Sequence, residues 1–595
     1  MRPLSKAESV FATLFFGLFL SIFCAPKAYA ANVGTDTTLN SDTTDTQQNI
    51  NVDDVTLTNN AVLNLTNANN TVLVQTQDGV TVTNNSGASI INSNSTSAVR
   101  GITATNLTVN NSGTIQSTAT FGMFISGNST FTINNNSGAT ITATNSTVVF
   151  TDSGGTLNNS GTIIATDNGS TQAISSGNTS AGLIINNNVG GVITGSGTRI
   201  IKLDTGDTVT NFGSITNTGT GNSIFFDEND STLILKEGSI LVGKIDVSTG
   251  TGNTIQVEQG YGQTYFYETT GTGTYTVQDL SGNEIVKGSA GSVGQGAQES
   301  IDERLGLRTY NLRSALKRYS AFPKNLIEDE LYVEPFSYYS ERGSNSSILS
   351  YENYGYGLNF IYPLKSKEFD LILTVEKSEL ELQRDHDISN TNFLAGFNAR
   401  EFLSLGPWKT SGFFVAGMGW HDGNRRILTN ATSSGELDVT SDYTSYEVIT
   451  GINANYIYSS GINTWNTEIG LTSGYSLTPD YEESRYFTWE ARQIWQGSIH
   501  IGESLTSKVS DNLTVTVGGE LEHRSLLRGR EQTYAINGTT ADTRHGQFWQ
   551  NSVAGKLGAN YSINNNMVAY VNLDSRFSTL ARGTYGASAG VKLNF

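Results

Sequence analysis

Val82-Thr-Asn-Asn-Ser-Gly87, Val109-Asn-Asn-Ser-Gly113, Ile133-Asn-Asn-Asn-Ser-Gly138, Leu157-Asn-Asn-Ser-Gly161, Ile185-Asn-Asn-Asn-Val-Gly190 and Val209-Thr-Asn-Phe-Gly213 follow one another along the chain. Their closing glycines lie 26, 25, 23, 29 and 23 residues apart, and an Ile follows each within a few residues. An apolar residue, an Asn-rich corner with Gly and a second short apolar strand make one coil of a parallel β-helix. The apolar residues point into a narrow core, Asn side chains at the corners hydrogen-bond along the stack, and Gly permits the bend. At roughly 4.8 Å per coil, about eleven coils give a rod of about 50 Å. The competing reading is a disordered Asn/Thr linker. Such tracts rarely keep an apolar residue at a fixed offset from a turn.

Composition agrees with a β-rich chain. Of 595 residues 63 are Gly and 7 Pro; 15% are charged and 37% hydrophobic, against roughly 25% and 45–50% in average globular chains. This disfavours helical bundles and large α/β enzymes. The net charge of −19 argues against a nucleic-acid partner, because phosphate binding is driven by Lys and Arg. Residues 31–297 hold 6 basic and 19 acidic residues, and all 6 Trp and all 5 His lie after residue 300. A segment without His cannot build a Ser–His–Asp triad or a histidine-dependent zinc site. Thr151-Asp-Ser-Gly-Gly155 is therefore read as a coil corner, despite its faint likeness to the Gly-Asp-Ser-Gly of serine proteases. Arg199, Lys202, Asp204 and Asp207 form the one basic-plus-acidic cluster of the rod that could serve a polysaccharide lyase or hydrolase. A solvated coil edge is the plainer reading. No cofactor, metal or catalytic residue is expected.

The segments on either side have other roles. Arg2 and Lys6, the apolar run Val10–Phe23 and Ala28-Tyr29-Ala30 read as a signal peptide, residues 1–30, cut after Ala30. The apolar run is short for the ~20 residues that span a bilayer. Cys24, the only cysteine, falls within it, so the mature chain has none, which suits an oxidising compartment. Residues 31–221 are the repeat rod. Residues 222–288, with Ser231–Leu235, Ile240–Val242, Thr254–Val257 and Tyr265-Phe-Tyr267, form an end cap, which repeat arrays require. Residues 289–325 are a linker (Ser-Ala-Gly-Ser-Val-Gly-Gln-Gly, 289–296) and a helix over 297–320 that Pro323 stops. Glu303 lies early in that helix and Arg313, Lys317 and Arg318 late, as the helix dipole favours.

Residues 326–595 alternate. Twelve strands are expected near 331–341, 350–362, 367–381, 389–402, 408–421, 441–457, 462–475, 484–503, 512–524, 547–561, 566–576 and 584–595. Leu513, Val515, Val517 and Leu521 face away from Glu520, Glu522 and Arg524; Val553, Leu557 and Tyr561 oppose Lys556; Val571 and Leu573 oppose Asp574 and Arg576. Long strands with one apolar and one charged face, and Trp and Tyr near their ends, fit an outer-membrane barrel. In lipid every backbone group must be paired, so the strands close on themselves. An even strand count leaves both termini on the periplasmic side. Glu520, Glu522, Arg524, Lys556, Asp574 and Arg576 then line a wet lumen and meet a helix carrying Arg304, Arg308 and Arg313. A soluble β-sandwich would need its polar face outward.

A cleavable signal, a β-helical segment, a linker helix and a twelve-strand barrel ending in Gly586-Ala-Ser-Ala-Gly-Val-Lys-Leu-Asn-Phe595 resemble the monomeric autotransporters of type V secretion. The resemblance covers the whole chain and is strongest over 297–595. It implies an all-β fold: a right-handed parallel β-helix passenger, then a 12-stranded outer-membrane barrel with the helix in its lumen. It implies that Phe595 helps the barrel-assembly machinery recognise the chain, that lipid surrounds the barrel, and that the passenger is displayed on the cell surface after crossing the periplasm. Residues 222–288 would fold first outside and favour outward movement. Relatives that cut themselves do so at an Asn-Asn pair in the helix; here Asn311 precedes Leu312, so the passenger is expected to stay attached. The passenger reads as a non-catalytic adhesin or surface rod, with host or neighbouring-cell ligands. The alternative is a surface lyase or hydrolase using acidic residues.

Overall fold

The computed structural model describes residues 29–594, apart from 68, 95, 119, 128, 145, 153, 167–171, 178–181, 321–329, 346, 365–368, 545–548, 565 and 580–581. The signal-peptide run with Ala28, the corner residue Ser153, Pro323 and Phe595 lie outside the described residues. The chain divides into two units: residues up to 259 with 267–278 and 429–435, and residues 260–266, 279–428 and 436–595.

The first unit is a parallel β-helix. Each coil contributes one short strand to each of three sheets, here faces A, B and C. Face A has eleven strands, from Tyr29–Val33 to Thr269–Thr270; face B has eleven, from Thr37–Leu39 to Tyr275–Asp279; face C has nine, from Thr43–Thr44 to Ile240–Val242. Equivalent residues stack in register. Leu57, Val82, Val109, Ile133, Leu157, Ile185, Val209 and Leu233 form one inward file, all at 0% exposure, and Leu63, Ile90, Ile115, Ile141, Ile163, Ile193 and Ile215 form another. Burying each such side chain stabilises the fold by roughly 1.5–3 kcal/mol.

The Asn ladder lies inside the rod. Asn59, Asn84, Asn111, Asn135, Asn159, Asn187 and Asn211 are buried at the face B ends, and the Nδ2 of each of the first six donates to the Oδ1 of the next rung over 2.8–2.9 Å. The same Nδ2 groups also donate to backbone carbonyls of the next coil, such as Thr114 O and Thr140 O, at 3.1 Å. The ladder ends where the register meets Leu39 on one side and Leu235 on the other.

The B-to-C corner takes two alternating forms. It spans four residues at 85–88, 136–139 and 188–191 and three at 237–239, and two at 60–61, 112–113, 160–161 and 212–213. Glycine serves each form for a different reason. Gly87 in a long corner adopts φ +79 with open space around it. A Cβ on Gly113 in a short corner would lie 2.2 Å from the Ala88 carbonyl oxygen. The structural repeat is therefore two coils, not one.

The second unit is built on a closed barrel of twelve antiparallel strands: β1 Glu330–Arg342, β2 Tyr351–Pro363, β3 Phe369–Leu382, β4 His386–Leu405, β5 Trp408–Thr429, β6 Glu436–Ser460, β7 Asn463–Thr478, β8 Arg492–Lys508, β9 Leu513–Arg528, β10 Trp549–Asn564, β11 Met567–Ser578 and β12 Arg582–Asn594. Neighbours pair in sequence, and β1 pairs with β12 from Glu330↔Asn594 to Arg342↔Arg582, which closes the ring. The helix α1, Ala297–Ser320, spans the expected residues. It runs inside the ring, with its Ser300 end beside Arg342 and its Arg318 end beside Glu334.

Four details differ from the sequence reading. The segment 222–288 is not one cap: its strands up to Asn253–Glu258 and Tyr275–Asp279 continue the coils, whereas 260–266 and 279–288 belong to the barrel unit. The Gly-rich linker holds a short strand, Ala290–Ser292. The eighth expected strand starts late, because Phe487–Trp489 joins Tyr481–Glu482, Glu531–Ile536 and Thr539–Arg544 in a separate four-stranded sheet. The barrel interior is mixed rather than wholly polar: Leu305, Leu312, Leu316 and Tyr319 of α1 pack on Tyr332, Ile372, Leu394, Val415, Ile449 and Tyr570 of the wall.

Candidate functional site in the barrel lumen

The barrel inverts the arrangement of a water-soluble protein. Along β3, Asp370, Ile372, Thr374, Glu376 and Ser378 are buried inside, while Phe369, Leu371 and Val375 are exposed outside. The same holds late in the chain. Val517, Leu521, Val553, Leu557, Val571 and Leu573 are 48% exposed or more, while Glu520, Glu522, Arg524 and Arg576 are at most 7% exposed. Strand alternation forces this, since successive side chains point to opposite faces. So many large apolar residues exposed around a closed ring require a solvent that is not water.

Inside, the charges of α1 meet counter-charges on the wall. Arg308 donates to Glu447 at 2.6 Å, Glu376 at 3.1 Å and Asn390 Oδ1 at 2.9 Å. Arg313 pairs with Glu520 and with Glu522, the latter at 2.8 Å. Arg318 grips both oxygens of Glu334, at 2.9 and 2.7 Å. Lys317 reaches Glu468 at 3.3 Å, Asp302 accepts from Arg492 at 2.9 and 2.6 Å, and Glu303 lies between Arg524 and Arg582. Arg304 lies 3.2 Å from His421 Nδ1. Buried charges need such partners, and bidentate guanidinium pairs are the strongest available. Space beside the helix, lined by Gly306, Thr309, Arg313 and Glu522, amounts to about 10 Å³, room for about one water molecule.

Each candidate lumen residue has a definite place. Glu520 and Glu522 flank Arg313; Lys556 pairs with Glu520 at 2.8 Å and Arg576 with Glu522 at 2.8 Å; Arg524 pairs with Glu303. Asp574 lies opposite Gly586 on β12, its Oδ1 2.7 Å from where a Cβ would stand. Of the predicted helix cations, Arg308 binds instead on the other side of the ring, at β3, β4 and β6. Glu334, Glu376, Glu447, Glu468, Arg492 and Arg582 were not foreseen. The available signal was a lone charge in phase with small polar residues, as in Thr374-x-Glu376-x-Ser378 and Ser445-x-Glu447. Gly306 was also missed: a Cβ there would stand 1.2 Å from Arg524 Nη1, so the glycine lets that guanidinium cross the helix.

At the barrel end away from Asn594, the chain leading into α1 is fastened. Arg425 of β5 donates to Glu483 at 2.7 and 3.0 Å, Thr264 Oγ1 at 3.1 Å and the Val293 carbonyl at 3.2 Å, with its guanidinium over the Phe487 ring. Phe266, Val286 and Val293 pack there with Ile427, Val439, Trp489, Tyr534 and Ile536.

In the rod's charged cluster the side chains engage one another and their neighbours. Arg199 lies over the Phe225 ring at 3.5 Å, and Lys202 pairs with Asp227 at 2.7 Å. Asp207 is at 0% exposure, and its carboxylate accepts from the Leu183 and Asp204 amides at 2.7 Å. Burial, outweighing those donors, pushes its pKa up to about 6.

Rod, lumen helix and twelve-strand barrel together make an all-β architecture, a parallel β-helix followed by a closed antiparallel barrel with one helix inside it. No family model matches the sequence, and no curated protein does. Among solved structures, the chain is similar to the translocator domain of autotransporter NalP from Neisseria meningitidis (12% identity, TM-score 0.39, covering 50% of this chain and 98% of that one). It is also similar to the β domain of the Bordetella autotransporter BrkA (9%, 0.32, 45% and 99%) and to the transport unit of AIDA-I from Escherichia coli (10%, 0.31, 49% and 98%).

Proposed function

We propose that the chain is an outer-membrane autotransporter that exports and displays its own β-helical rod. One observation carries this reading: α1 threads a ring that is apolar outside and charged inside, and the chain N-terminal to the helix emerges at the end away from Asn594. A segment preceding α1 is thereby delivered to one side of a lipid sheet while β1 and β12 start and finish on the other. The 1–30 segment directs export, cleavage after Ala30 leaves Ala31–Val33 of the first strand, and the barrel-assembly machinery receives the Phe595 end. The coils then stack outside. Each added coil buries another set of inward apolar residues and opposes sliding back without an energy source. Cysteine is absent from the mature chain, so no disulfide obstructs passage. The rod acts as a non-catalytic surface module; the burial of Asp207 and the pairing of Lys202 remove the groups an acid-based lyase would use.

Export is tested by protease treatment of intact Gram-negative cells expressing the chain. The full chain yields rod fragments from intact cells, and a chain lacking residues 330–595 yields them only after the outer membrane is permeabilised. Equal protection in both cases would refute the proposal.

A further inference from the structure

Charge is distributed over the rod by face. Between Thr56 and Asn217 the face B strands carry no Asp, Glu, Lys or Arg, and neither do the face C strands. Arg100, Arg199 and Lys202 all lie on face A strands. Face B presents two outward files in register. One runs Thr56, Thr81, Thr108, Thr132, Thr156, Ile184, Thr208, Thr232, Thr254. The other runs Thr58, Thr83, Asn110, Asn134, Asn158, Asn186, Thr210. The hydroxyls of Thr81, Thr108, Thr132 and Thr156 have no protein partner among the described residues. The carboxamides beside them are held in one orientation, because Asn134, Asn158 and Asn186 each donate to the preceding rung at 2.8–2.9 Å. The rim of this face is toothed, the long corners at 85–88, 136–139 and 188–191 recurring every second coil, roughly 9–10 Å apart at the β spacing.

We infer that face B is a docking surface for a neutral, extended β-linked polysaccharide lying along the rod axis. This inference rests on the displayed-rod reading and names its ligand class. Three features select the ligand. The face is uncharged on a rod whose mature segment carries 6 basic against 19 acidic residues, so anionic polymers are repelled and a neutral polymer pays no charge desolvation. Free hydroxyls and fixed carboxamides at regular spacing match a ligand that carries hydroxyls at regular spacing. The two-coil tooth repeat matches a chain whose successive sugars alternate in orientation, so that its repeat is a disaccharide. A second copy of the rod is the weaker occupant, since these two files lack the Trp, Tyr, Met and Arg anchors that dominate protein interfaces.

The test uses the full chain in detergent micelles, with microcrystalline cellulose and chitin powder as neutral probes and polygalacturonate as the anionic one. Retention on at least one neutral powder and none on polygalacturonate is expected. Thr132→Lys/Thr156→Lys lowers that retention at least tenfold. Thr132→Ser/Thr156→Ser keeps it, as does Gln75→Lys/Ser126→Lys, which adds the same charge to face A. Loss of retention in the face A variant, or unchanged retention in the face B lysine variant, would overturn the inference. So would absence of retention on both powders while protease still reaches the rod on intact cells, and in that case the export reading stands. Clumping of displaying cells through face B without polysaccharide retention would assign the face to a second copy instead.

Discussion

At the residue scale the inner Asn ladder and Asp207 make opposite use of a buried polar group. Each Asn is fully satisfied, so the ladder fixes coil register rather than weakening the core. Position within the ladder sets the cost of breaking it. Both asparagines also bond backbone groups, but Asn135→Leu removes two ladder bonds, the one from Asn111 and the one to Asn159, whereas Asn211→Leu removes only the one from Asn187 and abuts Leu235. Each ladder bond so lost costs about 1–3 kcal/mol. Denaturant unfolding of the rod is therefore shifted more by Asn135→Leu than by Asn211→Leu, although the chemical change is the same; equal shifts would count against the ladder. Asp207 carries a cost instead. Its folded pKa of about 6 exceeds the ordinary 3.8, so the folded rod binds its proton more readily than the unfolded chain. That contribution is fully present below about pH 4 and is lost as pH rises through 6. Rod unfolding monitored from pH 4 to 7 loses stability across that window, and Asp207→Asn flattens the change. The two aspartates Asp45 and Asp78, whose pKa values side-chain hydrogen bonds lower, act in the opposite sense and only at more acid pH.

At the element scale the helix and the barrel specify each other through charge. Arg308 is the centre of this contact, with Glu376, Glu447 and Asn390 around it. Arg308→Ala leaves two buried carboxylates without their cation, which costs about 3–5 kcal/mol. The temperature at which the folded barrel loses its compact gel mobility drops accordingly, and Arg308→Lys recovers part of it. No change would mean the helix is a passive filler. The elements were unequally legible in sequence. The coils could be read because apolar files and Asn-Gly corners repeat, and α1 because its apolar spacing is long and its ends are marked. The late strands could be read because Leu513–Leu521 and Ala569–Leu573 alternate cleanly. The small sheet of Tyr481–Glu482, Phe487–Trp489, Glu531–Ile536 and Thr539–Arg544 could not, because strands of two to six residues carry too little periodicity. The boundary within 222–288 was hidden for a related reason: Phe266 is aromatic on either reading, and only its packing shows that it belongs to the barrel unit. The candidate lumen charges on β9 to β11 were legible from alternation, but the helix's partners elsewhere, carboxylates on β1, β3, β6 and β7 and guanidiniums on β8 and β12, were not, because pairing across a ring is not a property of any one strand.

At the scale of the whole molecule two solvents explain the two compositions. The rod shows Thr, Asn and Ser to water and encloses a file of Ile, Leu and Val; the barrel shows Phe, Leu, Val and Trp outward and encloses charge. The overall net charge of −19 averages an acidic rod with a barrel whose interior charges largely pair off. The mature chain carries no cysteine once residues 1–30 are removed, so a single introduced thiol reports its own surroundings. The most direct test places that thiol at Thr132→Cys on the rod or at Leu557→Cys on the outer barrel wall, and adds a membrane-impermeant maleimide to intact cells. The account predicts rapid labelling at 132 and none at 557 until detergent strips the lipid. Labelling at 557 on intact cells, or protection at 132, would contradict it.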